Sequence, residues 1–259
     1  MPTGAPGAKS TWWGKPNDAR TTHTPDRRRG PGGLFVIADR LAVNFAEGEV
    51  ADRLKASGSM NADPEVTIHG FPFLTQVVGS GLEDVEVSVK EFDATTDGKS
   101  VRIADLNAHL RGVEFSGGFS QATAKTAEGT ARIGYADLLK AAKPDPIDVG
   151  PGVTAKVIGL SDGGNGKIKV EIEAEVFGAT LPKPLEVLST PTVQDGEVRV
   201  KADALPSLGI KVAEDKVREI TDFQQKVGGL PGGIELSKVT PAKDGVEISV
   251  EGSSVRLAG

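Results

Sequence analysis

The string Gly159-Leu160-Ser161-Asp162-Gly163 is where this chain comes closest to spelling a catalytic pattern. G-x-S-x-G places a serine on a sharp strand-to-helix turn, where a general base can reach its hydroxyl. Here Val153–Ile158 reads as a strand, and "GNGKIKVEIEAEV" after the string reads as another. Ser161 is therefore expected in a hairpin, without the helix that the elbow requires. His23, His69 and His109 are far apart, none at HxxH or HxxxH spacing, and there is no cysteine. The spacing offers no zinc ligand set, no thiolate and no cysteine nucleophile. "DVGPGVTA" has two glycines but not the strand–GxGxxG–helix context of a dinucleotide site, and no Walker string or EF-hand loop occurs. Carboxylates are many but scattered. No catalytic residue, metal ligand or cofactor is assigned, and weight shifts to binding.

The strongest binding candidate is "GFPFLTQVV", Gly70 to Val78. In a chain that is only 5% aromatic, Phe71 and Phe73 flank Pro72. Gly70 and Pro72 cannot continue a strand, so this corner can project two rings at a sheet's end. Leu74, Val77 and Val78 add a short apolar turn. Two destinations fit: the rim of a groove that admits an acyl chain, or a plug for the open end of the core. The chain has 9 Phe, 1 Tyr and 2 Trp, with both Trp near the N-terminus at Trp12 and Trp13. Its many β-branched residues suit a smooth aliphatic tunnel as well as a tight core. Burying one acyl chain of about sixteen carbons would gain on the order of 10 kcal/mol gross at ~0.8 kcal/mol per CH₂. A membrane competes for the same chain, so the net affinity would be far smaller.

The elements that would hold these residues can be read from periodicity. Leu34, Ile37, Leu41 and Phe45 fall at i, i+3, i+7 and i+11, predicting a helix from Leu34 to about Ser57 with Asp39, Arg40, Glu47, Glu49, Asp52 and Arg53 on its wet side. Period-two alternation then dominates: Val66 and Ile68; Val85, Val87 and Val89; Val101 and Ile103; Leu106, Ala108 and Leu110, after a phase slip at Ala104-Asp105; Ile168 through Val176; Val198, Val200 and Ala202; Val246, Ile248 and Val250; Val255 and Leu257. These are antiparallel strands with one buried face, and "TTDGKS", "SDGGNGK", "VQDGEV" and "AKDGVE" are hairpin turns. Two further helices are expected, Tyr135–Lys143 and Ala213–Gly229. The second carries Val217, Ile220 and Phe223 on one face, with Gly228-Gly229 as its cap. Pro144–Pro151 and Leu181–Pro191 read as proline-interrupted joints. The class is α+β, with a disordered basic tail over 1–33 and one folded domain over 34–259.

Charge narrows the partners. Residues 1–33 hold six Lys/Arg and two acids, a balance of +4, so a chain of net charge −6 leaves −10 on the remainder. An acidic body argues against nucleic acid as its main partner. Arg27-Arg28-Arg29 followed by the apolar run Leu34 to Ala38 looks like the two flanks of a signal-anchor with its middle absent. Five apolar residues cannot span a bilayer, which needs roughly 20.

"VTIHGFPFLTQVV", then "LEDVEVSVKEF", "VRIADLNAHLRGV" and a closing "GGIELSKVTPAKDGVEISVEG" resemble the LmeA-like phospholipid-binding proteins of actinobacteria. The resemblance covers roughly Leu34 to Gly259, and G-F-P-F-L-T-Q is its most specific string. It implies a tubular lipid-binding (TULIP-like) architecture, in which a curled, mainly antiparallel sheet wraps a long N-terminal helix and leaves an apolar groove. It also implies a non-enzymatic phospholipid-binding protein of the extracytoplasmic (periplasmic) cell envelope, membrane-associated or anchored, serving lipid transfer or envelope glycolipid assembly. The lipid contacts would be Leu41, Phe45, Phe71, Phe73, Leu74, Val77, Val78, Leu138 and Phe223, with phospholipid and a membrane surface as partners. Lys90, Arg102, Arg111, Lys125 and Arg132 are candidates for an anionic headgroup, although a solvated strand face suits each of them too. The alternative is a scaffold of the envelope with a filled core and a sheet face that binds another envelope protein.

Overall fold

In the computed structural model, the described residues are 32–57, 63–96, 99–142, 145–205, 214–226, 230 and 232–258. The expectation of disorder over 1–33 thus lies outside them, apart from Gly32 and Gly33, which already belong to the first helix. The elements in chain order are α1 (Gly32–Ser57), β1 (Glu65–His69), α2 (Phe73–Val78), β2 (Gly81–Thr96), β3 (Lys99–Ser116), β4 (Gln121–Gly134) and α3 (Tyr135–Ala142). There follow β5 (Ile147–Gly150), β6 (Val153–Gly164), β7 (Lys167–Val176), β8 (Ala179–Thr180), β9 (Leu185–Gln194) and β10 (Glu197–Ala202). The chain closes with α4 (Glu214–Thr221), β11 (Phe223–Lys226), β12 (Ile234–Ala242) and β13 (Gly245–Ala258). The α+β class and the curled antiparallel sheet packed against the N-terminal helix are as expected.

The strands form two sheets. The first has the order β1-β2-β3-β4-β13-β12, the second β11-β10-β9-β7-β6-β5, with β8 paired to β7, and all ladders are antiparallel. Turn chemistry sets the tight hairpins. Asn165-Gly166 joins β6 to β7 and Asp195-Gly196 joins β9 to β10, each with both residues at positive φ. Two left-handed residues match the twist of the flanking strands.

Curl in the first sheet has a local cause. Leu82, Val113, Ala124 and Val255 face inward at one end, and so do Val85, Leu110, Ala127 and Gly252 next to them. The two rows are three residues apart, not two, so the inward phase slips once in every strand. Gly112 (φ 61°) and Ser254 (φ 53°) lie at the slip, and such irregularities bend a sheet. A second break falls at Glu91 (φ 50°), which lies between the pairs Lys90↔Asp105 and Phe92↔Ile103. It stands opposite the phase slip expected at Ala104-Asp105.

Two cores result. One joins Val43 of α1 and Phe73 of α2 to Val66, Ile68, Val85, Val113, Ala124, Ala127 and Val255. The other joins the second sheet to Tyr135, Val217 and Val246. β13 serves both, through Val255 and Val246.

Three local expectations are corrected. The helix expected over Ala213–Gly229 ends at Thr221, and Phe223 opens β11, pairing with Val200. Asp222 ends the helix by accepting the Ala202 N–H at 3.0 Å, which starts the β10–β11 pairing. The Gly228-Gly229 cap lies outside the described residues. Pro191, expected in a joint, sits within β9 opposite Val200. β7 pairs with β9 only as far as Ser189, and a strand flank without a ladder tolerates a proline. The third correction concerns the buried face of α1.

Candidate functional site

α1 packs with the face opposite to the one its aliphatic stripe predicts. Val43 is buried with Ala42, Ala46, Ala51 and Leu54 at its sides, whereas Leu34, Ile37, Leu41 and Phe45 are exposed, Phe45 to 76%. Asp39, expected on the wet side, is 0% exposed. Its carboxylate accepts the Leu74 N–H at 2.9 Å and a bond from Arg40 at 2.6 Å. Glu47 likewise accepts the Ile68 N–H at 2.8 Å, satisfying the free edge of β1. Two acids therefore sit on the packed face because backbone donors of α2 and β1 await them there.

Asp39 is covered by a thin layer, Arg40 and α2, rather than by the deep core. Burial pushes its carboxyl upward, but the Leu74 N–H, the Arg40 guanidinium and the Phe73 N–H together hold it below the usual carboxylate range. Arg40 also lies 5.4 Å from the centre of the Phe71 ring, a cation–π distance. The corner is thus assembled by α1: Asp39 fixes the start of α2 and Arg40 steadies Phe71.

The two corner rings part company. Phe73 is buried in the α1–α2 core with Leu74 and Val77 against it, while Phe71 is 58% and Val78 87% exposed. Plug and rim each claim one ring. Leu138 packs in the other core, remote from the corner, and Phe223 lies on β11 at the edge of the second sheet. The nine candidates therefore fall in four places, with Leu41 and Phe45 on the outer face of α1 as the fourth, rather than in one lining.

Strand register reveals an apolar surface that periodicity alone did not single out. Between the two cores, the inward row Val87–Ala108–Gly129–Val250 crosses the first sheet, with Val89–Leu106–Ala131–Ile248 beside it. Val89 is buried and the other seven are half-buried. Ala108, Gly129, Val250, Leu106 and Ala131 belong to neither core. A Cβ at Gly129 would stand 3.0 Å from a Val250 methyl, so its small size keeps the floor low. The result is a shallow trough with aliphatic walls and an Ala/Gly floor. Alanines at alternate positions were readable, but only pairing aligns them across four strands.

Of the basic candidates, Lys90 is exposed on β2 and the other four have partners on the outer face. Arg102 meets Asp93, Arg111 meets Asp84 and Glu128, Lys125 meets Glu114 and Arg132 meets Asp105. Exposed pairs of this kind contribute little stability. His69 and His109, distant in sequence, flank the same carboxylate, Glu86, at 3.5 and 3.7 Å. Among the described residues no group of three or more His, Cys, Asp or Glu could hold a metal. Ser161 lies in the β6–β7 hairpin, as expected, and both these histidines stand on the other sheet. A polar depression of about 290 Å³ on the first sheet is lined by Asp105, Asn107, Arg132 and Glu247. Another of about 430 Å³ lies by α2, between Gln76, Leu82, Phe115 and Lys125. No helix among the described residues is long and apolar enough to cross a membrane.

A family model described as LmeA-like phospholipid-binding matches residues 37–251, which include most of α1, the corner, the trough and both sheets except the end of β13. No curated protein and no solved structure matches the chain.

Proposed function

Since the chain belongs to the LmeA-like phospholipid-binding family, we propose that it holds a phospholipid without altering it, as a carrier in the cell envelope. An acyl chain lies along the Ala/Gly-floored trough, and the headgroup stays near Arg40 and Phe71 at the corner. The observation that carries this reading is the half-buried apolar row Val87–Ala108–Gly129–Val250, partly open between two filled cores. Val246 and Val255, nine residues apart on the inner face of β13, are buried in the two cores, and the row lies between them. Phe73, Leu74 and Val77 form the end wall and Leu138 borders the far end, while Leu41 and Phe45 face away from the trough and would meet lipid from outside.

Native mass spectrometry of the full chain, followed by solvent extraction and lipid analysis, tests this. Near-stoichiometric phospholipid is expected, and Ala108→Phe, which fills the trough, should lose most of it while melting as a folded protein. A folded wild type that carries no lipid and takes up none would overturn the reading and favour a scaffold whose sheet binds another protein.

A further inference from the structure

The ends of β2 and β3 outrun the sheet that carries them. β1 pairs with β2 only as far as Ser88, and β4 pairs with β3 only as far as Asp105. Beyond Lys90 and Asp105, no other strand among the described residues pairs with either of them. The pairs Phe92↔Ile103, Asp93↔Arg102 and Ala94↔Val101 make a projecting two-stranded arm. Cross-strand partners share a face, so the arm has two unlike sides. Phe92, Ile103 and Val101 lie on one side and are half-buried, while Asp93 and Arg102 meet at 3.7 Å on the other. None of the three apolar residues belongs to either core. A two-stranded ribbon is marginal in water and holds when its apolar face packs on something.

The phase slips decide which way the apolar side looks. Near the corner, Leu82↔Val113 and Val85↔Leu110 face inward and Asp84↔Arg111 faces outward, with left-handed Gly112 (φ 61°) between the first pair and the outward one. At the other end, Val89↔Leu106 faces inward and Lys90↔Asp105 outward, and left-handed Glu91 (φ 50°) then precedes Phe92↔Ile103. The second arrangement is the first in reverse: an outward pair, a residue outside the ladder on each strand, then an apolar pair. Phe92 and Ile103 therefore return to the inner side, where strict alternation would have turned them outward. The inner face of the trough runs on from Leu106 to Ile103 and Val101. It does so away from the corner, which follows His69 and its partner Asp84 near the start of β2.

We infer that this arm is the far end of the lipid site: Phe92, Ile103 and Val101 contact the last methylenes of the bound acyl chain and set the chain length that the protein prefers. The inference rests on the phospholipid reading and adds to it the part of the lipid that is selected. Each methylene that reaches the apolar side of the arm leaves water and adds to affinity, while methylenes beyond the arm add nothing. Continuity of the inner face from the trough to the arm favours the acyl chain as the occupant over a separate partner.

Native mass spectrometry of the full chain, after incubation with vesicles of equimolar dimyristoyl and distearoyl phosphatidylcholine, tests it by reading total bound lipid and the ratio of the two. The cost of leaving the vesicle is common to all variants and cancels in the comparison. Phe92→Ser and Ile103→Ser should each lower the distearoyl-to-dimyristoyl ratio about tenfold below wild type, as losing contact with about two methylenes would. Total lipid should stay unchanged. Val101→Thr, which nearly keeps the shape, should shift the ratio the same way even if the serine variants melt early. Asp93→Asn, on the polar side of the arm, should match wild type. An unchanged ratio in the apolar variants overturns the inference and leaves the trough reading standing, and so does an equal shift in Asp93→Asn. Wild-type dimers that vanish in the apolar variants while the ratio holds would overturn it in favour of a second copy covering the arm. A wild type that holds no lipid overturns both readings.

Discussion

A carboxylate cut off from solvent must be matched by donors, and Asp39 is matched by Leu74 N–H, Phe73 N–H and Arg40. Because its folded pKa is lowered, its contribution to stability is present above the unfolded value, 3.8, and is lost as pH falls through the folded pKa beneath it. Asp39→Asn keeps the shape and one acceptor but forgoes the charge. The variant should melt on the order of 5 °C lower at neutral pH. Its melting temperature should also fall less steeply than that of the wild type as pH is taken below 4, measured by circular dichroism. Parallel acid profiles would mean that Asp39 is not the anchor of the corner. At this scale the sequence was half legible. Gly70-Phe71-Pro72-Phe73 marked the corner, but nothing local showed that a helix residue 35 positions from Leu74 would hold it.

At the scale of elements, α1 shows how a face can be misread. Its apolar residues are spread around the helix, so amphipathicity is nearly nil. Leu34, Ile37, Leu41 and Phe45 make a more convincing stripe than Asp39, Val43, Ala46, Glu47 and Leu54. The second set packs because small alanines let α1 approach the sheet, and because its two acids find backbone N–H donors. Period and length were therefore enough to locate the helix but not to orient it. Leu41→Glu and Phe45→Glu should then change stability by no more than about 0.5 kcal/mol, as exposed substitutions do. Val43→Asp should cost at least about 3 kcal/mol, since it buries an unpaired charge. Urea unfolding of the variants measures both. A large loss in the Leu41 or Phe45 variant would place the outer stripe in a packed interface. The strands with two-residue alternation were read more reliably, since burial alternates along them much as the sequence does, whereas β4, whose buried Ala124 and Ala127 are three apart, carries no such signal. α4 was overextended because Phe223 continues a helical spacing that Asp222 breaks by capping a strand.

For the whole molecule, the sequence contains the strands but not their partners. β13 pairs with β4, more than a hundred residues earlier, and neither periodicity nor turn chemistry specifies so distant a pairing. The division into two sheets and the trough between the cores follow from it, so they too were hidden. Tyr135 marks the junction. Its hydroxyl donates to the Ala242 carbonyl at 3.0 Å, tying the start of α3 to the β12–β13 turn. Its ring is buried in the core of the second sheet. Burial, aided by the nearby Asp162 carboxylate of β6, pushes the phenol up to about 12 from 10.0. The neutral phenol is thus favoured in the fold. The stability this provides is intact below pH 10 and declines as pH rises toward 12, where the unfolded chain ionises first. Tyr135→Phe removes that dependence and leaves the Ala242 carbonyl without its donor. It should cost about 1 kcal/mol at neutral pH, and the gap to wild type should narrow between pH 10 and 12 in paired urea titrations. A gap that stays constant across that range would mean the phenol reaches solvent and does not join the sheets.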